Sequence, residues 1–223
     1  MKHLAVIMDG NNRWSVINNK TKKEGYLAGL DKLMEVTNIC INKKIPYLSA
    51  FAMSSENFFR PSINFIYQII SEQHNNFIKK LENTKKIKIN FVGELDKLPI
   101  NIQNILNETT YSTKNNKDVT LNILLNYGSE FEILNIVNKM LISKNNNELA
   151  TLKDLKKNLY LGNIPEPDLL IRTGGFQRLS NFLLIYLKYT ELYFTKTLWP
   201  DLSNNEINTI INEFINTKKN YGL

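Results

Sequence analysis

Two kinds of residue stand out in this sequence by type and by place. Only four of the 28 cationic residues are arginine: Arg13, Arg60, Arg172 and Arg178. The chain is crowded with lysine, asparagine and isoleucine, so an arginine marks a position where lysine does not serve. A guanidinium is a planar fork that grips two phosphate oxygens at once, whereas an ammonium is a point charge. The second kind is a lone carboxylate. Asp9 follows the apolar run from His3 to Met8 and opens the loop Asp-Gly-Asn-Asn. By itself such an aspartate is as readily a turn former as a ligand. With Arg13 four residues on, a further chemistry opens: backbone N–H groups cradle a phosphate, Arg13 forks it, and Asp9 holds a magnesium ion across its oxygens.

Other chemistries lack their residues. No Gly-Lys-Ser/Thr loop or G-x-G-x-x-G turn is present, and no G-x-S-x-G elbow. The two histidines, His3 and His74, have no carboxylate at metal-ligand spacing, and acidic residues never stand side by side. The single cysteine, Cys40, excludes an internal disulfide and points to a reducing, cytoplasmic compartment. The net charge is +7. The lysines are scattered and not interleaved with aromatics, which argues against a nucleic-acid face. The longest apolar run, Phe182 to Leu187, falls far short of the roughly 20 residues of a membrane span. Membrane contact, if any, is then peripheral.

The elements that must position these groups follow from periodicity. Apolar runs predict strands at His3–Met8, Tyr47–Met53, Ile87–Val92, Val119–Leu125, Asp168–Ile171 and Phe182–Leu187. Helical spacing predicts helices over Tyr26–Asn42, the stretch after Pro61, Leu98–Thr110, Glu130–Ile142, Leu152–Leu159 and Ser203–Phe214. The last is read with Ser203 as N-cap and Glu206 completing a capping box. Residues 14–24 show no periodicity and read as a mobile loop. The pattern predicts an α/β fold, a central, mostly parallel six-stranded sheet flanked by helices. It forms one domain over residues 1–223, a size close to the upper limit for one core. In open α/β sheets ligands sit beyond the carboxyl ends of the strands. Asp9, the segment Ser54–Arg60, Asn126 and Arg172–Gly175 all fall there, which predicts one phosphate-binding cleft.

These residues also form recognisable blocks. His3-Leu-Ala-Val-Ile-Met-Asp9-Gly-Asn-Asn-Arg13-Trp14 resembles the opening motif of cis-prenyltransferases, the undecaprenyl diphosphate synthase family. So do Ala52-Met-Ser54-Ser-Glu56-Asn57-Phe-Phe-Arg60-Pro61, Asp168-Leu-Leu-Ile-Arg172-Thr-Gly-Gly, Arg178-Leu-Ser180-Asn-Phe, Glu191-Leu-Tyr-Phe and Leu198-Trp199-Pro200. The blocks keep the family's order over most of the chain. The resemblance implies Mg2+-dependent condensation of isopentenyl diphosphate with an allylic diphosphate such as farnesyl diphosphate. The implied product is a Z-polyprenyl diphosphate, undecaprenyl diphosphate for a cell-wall lipid carrier being the natural one. It implies catalytic roles for Asp9 and Asn57, with Asn57 at proton removal. Metal ligation falls to Asp9 and Glu191. Allylic diphosphate contacts fall to Gly10, Asn11, Asn12, Arg13 and Trp14, with further substrate contacts at Lys22, Tyr26, Ser54, Ser55, Glu56, Phe58 and Arg60. Arg172, Arg178, Leu179 and Ser180 are the implied isopentenyl diphosphate clamp. A homodimer is implied, with Glu191, Tyr221 and Gly222 near its interface.

The growing product is a hydrocarbon and requires an apolar tunnel. Ile63, Ile66, Tyr67, Ile70, Phe77, Ile78 and Leu81 of the helix after Pro61, with Ala52 and Val119, either line it or are ordinary core. The sequence departs from the family at several points. Asn12 stands in the first loop where asparagine's tolerance of positive φ preserves the turn. Phe58 stands where tryptophan is common, Tyr26 at a phosphate-contacting histidine, and Lys22 at a frequent arginine. Phe176-Gln177 replaces the usual Glu-His. Other readings are a non-catalytic accessory subunit and a phosphate-binding protein without transfer chemistry.

Overall fold

The computed structural model describes residues 1–57, 63–82, 86–143 and 149–217, without the side chains of 57, 74–82 and 143. Phe58, Arg60, Tyr221 and Gly222 lie outside the described residues, as do the side chains of Asn57, His74, Phe77, Ile78 and Leu81.

Six strands form one sheet: β1 (His3–Ile7), β2 (Tyr47–Phe51), β3 (Ile87–Val92), β4 (Val119–Leu124), β5 (Leu169–Arg172) and β6 (Glu191–Phe194). Their order is β3-β4-β2-β1-β5-β6, and every pairing is parallel. All five residues of β1 and all four of β5 are buried, as expected for parallel strands covered on both faces. Alternate residues serve opposite layers. Leu4 and Val6 pack with Leu33, Val36 and Cys40 of helix α2 (Lys22–Asn42) and Ile207, Ile210 and Phe214 of helix α7 (Asn204–Asn216). Ala5 and Ile7 face Phe51, Leu170, Phe182, Leu183 and Tyr186. The remaining helices are α1 (Asn11–Ile17), α3 (Ile63–Glu82), α4 (Ile100–Thr113), α5 (Ser129–Ser143) and α6 (Leu152–Asn158).

Three expectations are corrected. Residues 14–24 are not an irregular loop: α1 runs to Ile17, and α2 starts at Lys22. Thr21 and Glu24 cap α2 reciprocally in a full capping box. The run Phe182–Leu187 is not a strand. Ser180, Asn181 and Leu183 have φ of +49°, +63° and +49°, which folds the run into turns whose apolar side chains still reach the core. The sixth strand is Glu191–Phe194, on the sheet edge. At α7, Ser203 accepts from the Glu206 N–H at 3.0 Å, but the Glu206 carboxylate accepts from the hydroxyls of Thr195 and Thr197 instead of closing the box.

The topology places the site. β1 leads towards β2 on one side, and β5, its other neighbour, leads away to β6. The crevice beyond the carboxyl ends of β1 and β5 is therefore the switch point at which α/β sheets bind ligands. Asp9 and Arg172–Gly175 stand there.

Candidate active site

Ile7 and Arg172 are register partners, so the residues just beyond them meet. The Arg172 side chain is almost fully buried, and its Nη2 donates to Asp9 Oδ2 at 3.0 Å. Arg13, in the first turn of α1, donates to the other oxygen, Oδ1, at 3.2 Å. Arg172 Nη1 turns to the next loop and donates to Ser180 Oγ at 2.9 Å and to the Arg178 carbonyl. Thr173 clasps the Asp9 backbone: the Asp9 N–H donates to its hydroxyl oxygen at 3.0 Å, and that hydroxyl donates to the Asp9 carbonyl at 2.8 Å. The buried Nε of Arg172 has no partner. A buried charged donor left open demands an explanation, and an anionic ligand supplies one.

The loop after β5 holds this arrangement through two left-handed glycines, Gly174 and Gly175, both at φ +83°. A Cβ on Gly174 would stand 2.4 Å from Arg13 Nη2, so the guanidinium rests where any side chain would displace it. Gly10, at φ +121°, carries the positive angle of the first loop; Asn12 lies within α1 and needs none. Trp14 donates its indole N–H to Asp201 at 2.6 Å, tying α1 to the 3-10 turn Trp199–Asp201.

Beyond β2, Ser54 forms a bridge with Tyr127, and the Ser55 N–H donates to the Tyr127 carbonyl at 2.9 Å. Asn181 gathers three loops. Its amide donates to Glu56 at 2.9 Å, its carbonyl accepts from the Ser129 N–H, and its side-chain oxygen accepts from the Glu130 N–H. Partial desolvation pushes the Glu56 carboxyl up, but hydrogen bonds, the Asn181 amide foremost, outweigh it and hold the pKa below its usual value. Beneath this loop the buried carboxylate of Glu132 accepts from the hydroxyls of Tyr127 and Tyr186 and from the Tyr160 N–H. Burial, and then the Glu132 charge, push both phenols far above their usual pKa.

An apolar cavity of about 180 Å3 lies next to the cluster. Met8 and Asn11, on either side of Asp9 and Gly10, both line it. Leu30 and Leu33 of α2, Ile66, Ile69 and Ile70 of α3, and Phe91, Ile105 and Ile123 continue the wall. Ala52 and Tyr26 are there as well, the Tyr26 ring packing edge-on to Phe65 at 5.9 Å. Val119 is not; it is buried in the main core. Ile63 and Tyr67 pack over Met53, Leu98 and Ile102.

Of the residues singled out in the sequence, Asp9, Arg13, Arg172, Arg178 and Ser180 converge. Lys22 stands over the Phe65 ring at 5.8 Å. Leu179 packs its side chain on the second core cluster. Glu191 does not join Asp9 within one chain. It pairs with Leu169 at the amino end of the strands, while Asp9 lies beyond their carboxyl ends. Thr173 fell within the segment expected at the cleft, without its hold on the Asp9 backbone, and the roles of Asn181 and Glu132 were not anticipated. Among the described residues no three His, Cys, Asp or Glu side chains converge. A divalent cation here would have Asp9 and ligand oxygens around it, the coordination Mg2+ favours at diphosphates.

A parallel α/β sheet with a guanidinium cluster at its switch point and an apolar cavity beside it defines an α/β protein whose site suits an anionic head joined to an apolar tail. Comparisons agree. The sequence profile described as "Putative undecaprenyl diphosphate synthase" matches residues 7–222. An isoprenyl transferase of Rickettsia typhi is 40% identical over 225 residues, covering 100% of this chain and 98% of that protein. A ditrans,polycis-undecaprenyl-diphosphate synthase of Legionella pneumophila, farnesyl-diphosphate specific, is 36% identical, covering 99% and 95%. A lavandulyl diphosphate synthase from Lavandula x intermedia, solved with dimethylallyl diphosphate, superposes with a TM-score of 0.91 at 25% identity over 100% and 98% of the two chains. A probable undecaprenyl diphosphate synthase from Campylobacter jejuni gives 0.82 at 30% identity over 100% and 99%. This chain belongs to the undecaprenyl diphosphate synthase family of prenyltransferases.

Proposed function

We propose that this enzyme condenses isopentenyl diphosphate repeatedly onto an allylic diphosphate, with farnesyl diphosphate as primer. The product is a Z-polyprenyl diphosphate, of eleven units by resemblance, suited to a cell-wall lipid carrier. One observation carries the reading: the guanidinium cluster and the apolar cavity share the segment Met8–Asn11. A diphosphate gripped at the first has its tail aimed into the second.

The Asp9–Trp14 loop takes the allylic diphosphate, and Arg172, Arg178 and Ser180 take isopentenyl diphosphate. Fixing both heads aligns the alkene with C1 of the allylic partner, an entropic task for rigid forks. The C1–O bond breaks and the electron pair leaves with pyrophosphate. The terminal alkene carbon bonds to C1, and loss of a proton from C2 of the isopentenyl unit restores a double bond. Arg13, in the loop that takes the allylic diphosphate, faces the charge that develops on the leaving group. Magnesium, held by Asp9 and the diphosphate oxygens, would supply further neutralisation. Asn57 at proton removal and substrate contacts at Phe58 and Arg60 remain assignments by motif. So does Glu191 as a metal ligand, a role that needs more than one chain given its place at the far end of β6.

Phe131, Leu134 and Val137 leave an exposed apolar face on α5, which supports a homodimer. No helix among the described residues is long and apolar enough to cross a membrane. The product's tail would then reach lipid through peripheral contact. An accessory-subunit role is disfavoured by the intact Asp9 cluster. The purified chain, given radiolabelled isopentenyl diphosphate, farnesyl diphosphate and Mg2+, should yield labelled long-chain product, with EDTA abolishing it. Absence of product with Mg2+ present, or full activity in EDTA, would count against the reading or its metal respectively.

A further inference from the structure

Phe176 lies where three cations meet. Its ring centroid is 4.2 Å from the guanidinium carbon of Arg178, 5.1 Å from that of Arg13 and 5.9 Å from that of Arg172. All three distances fall within the range at which a ring face attracts a cation. These arginines come from three separate places: α1, the end of β5 and the loop beyond it. Asp9 is the carboxylate among them, bonded to Arg13 and Arg172 but not to Arg178. Without an anion bound, the cluster carries more positive than negative charge, and its cations repel one another.

We propose that Phe176 is a positioning residue that keeps Arg13, Arg172 and Arg178 gathered before the diphosphates arrive. The chemistry favours a ring over a carboxylate in this role. A carboxylate would occupy the N–H donors of the forks and compete with phosphate. A ring attracts the delocalised charge and accepts no N–H in the guanidinium plane, so the donors stay available. The two left-handed glycines before Phe176 turn the chain back towards Asp9, and the Gly174 and Gly175 N–H groups are anchored on the Thr197 and Thr195 carbonyls. The platform is thus fixed to the segment just beyond β6 while the arginines come to it. Prepaying the convergence of three long side chains lowers the ordering cost of binding.

The inference rests on the proposed diphosphate clamp, and its test separates the two. Phenylalanine analogues with one, two or three ring fluorines at position 176 keep the shape but drain the ring face of negative charge. The KM for isopentenyl diphosphate should rise stepwise along the series, by about three- to thirtyfold at the end, with kcat within about threefold. Phe176→Leu should match the end of the series, and Phe176→Trp should stay close to wild type. Calorimetry with inorganic pyrophosphate should show the same order of affinities. A flat fluorine series, or equal losses for Leu and Trp, overturns the role of the ring. If the wild-type chain formed no polyprenyl product while the pyrophosphate series held, the ring assignment would stand and the proposed reaction would fall.

Discussion

Strand β1 carries a polar group at each end, and the two ends are built in opposite ways. At the amino end His3 is 1% exposed and fully satisfied: its Nδ1 donates to the Pro165 carbonyl at 2.7 Å, and its Nε2 accepts from the Ser49 hydroxyl at 2.8 Å. Ser49 in turn accepts from Asn122 on β4 at 3.2 Å. That network is closed, and nothing in it awaits a ligand. At the carboxyl end the Asp9 cluster is open. The Arg13 side chain is 44% exposed, Arg172 keeps an unpaired Nε, and two guanidinium groups share one carboxylate while a third joins them at the Phe176 ring. Saturated polar networks register a core, whereas unsaturated ones with surplus charge mark where an anion completes the set.

The sharpest way to break this contrast is Asp9→Ala. Turnover should fall by roughly a thousandfold or more, the scale of losing a group that acts on developing charge. The fold should survive, because Thr173 and Trp199 hold the Asp9 backbone and not its side chain. Circular dichroism and a prenyl-transfer assay on one preparation decide it; wild-type turnover would remove Asp9 from the chemistry. The other end should answer in stability alone. Desolvation lowers the His3 pKa from 6.5 to about 4, against the raising effects of the Pro165 hydrogen bond and the Asp168 charge. The unfolded chain then binds an extra proton between these values. Stability is full above pH 6.5 and falls as pH drops towards 4, by about 3 kcal/mol in total. Urea unfolding across that window should show the slope in the wild type and not in His3→Gln. Identical slopes would exclude His3 as its source.

The same contrast explains what was legible in the sequence. The first five strands and the larger helices were, because burial on both faces of a parallel sheet writes continuous apolar runs. Helix α1 was hidden because it packs through small groups: a Cβ on Gly25 would stand 2.5 Å from the Asn11 carbonyl oxygen and 2.9 Å from Ser15 Cβ. Such close packing leaves no apolar stripe. Phe182–Leu187 misled for the opposite reason, since its run is buried as turns and periodicity does not see φ. At the site, the scarcity of arginine exposed Arg13, Arg172 and Arg178, and the strand-end position exposed Asp9. Asn181, Glu132 and the Phe176 platform were not legible, because each works by joining loops far apart in sequence.

Arg172→Lys tests the smallest difference between the two ends, that between a clamp and a strut. The guanidinium reaches Asp9, Ser180 and the Arg178 carbonyl at once, and a lysine keeps the charge but not the span. If Arg172 were only a strut, the substitution would lower the thermal midpoint and leave substrate affinity alone, as a change at His3 would. As a clamp, it should raise the KM for isopentenyl diphosphate by about ten- to thirtyfold, or roughly 1.5–2 kcal/mol, and affect the allylic KM less. The asymmetry between the two substrates matters more than the size of the effect. Arg172 shares Ser180 and Arg178 with the isopentenyl side, whereas Arg13 alone belongs to the Asp9 loop. Equal rises for both substrates would mean that Arg172 acts through Asp9, and an unchanged isopentenyl KM would return it to the structural class that His3 occupies.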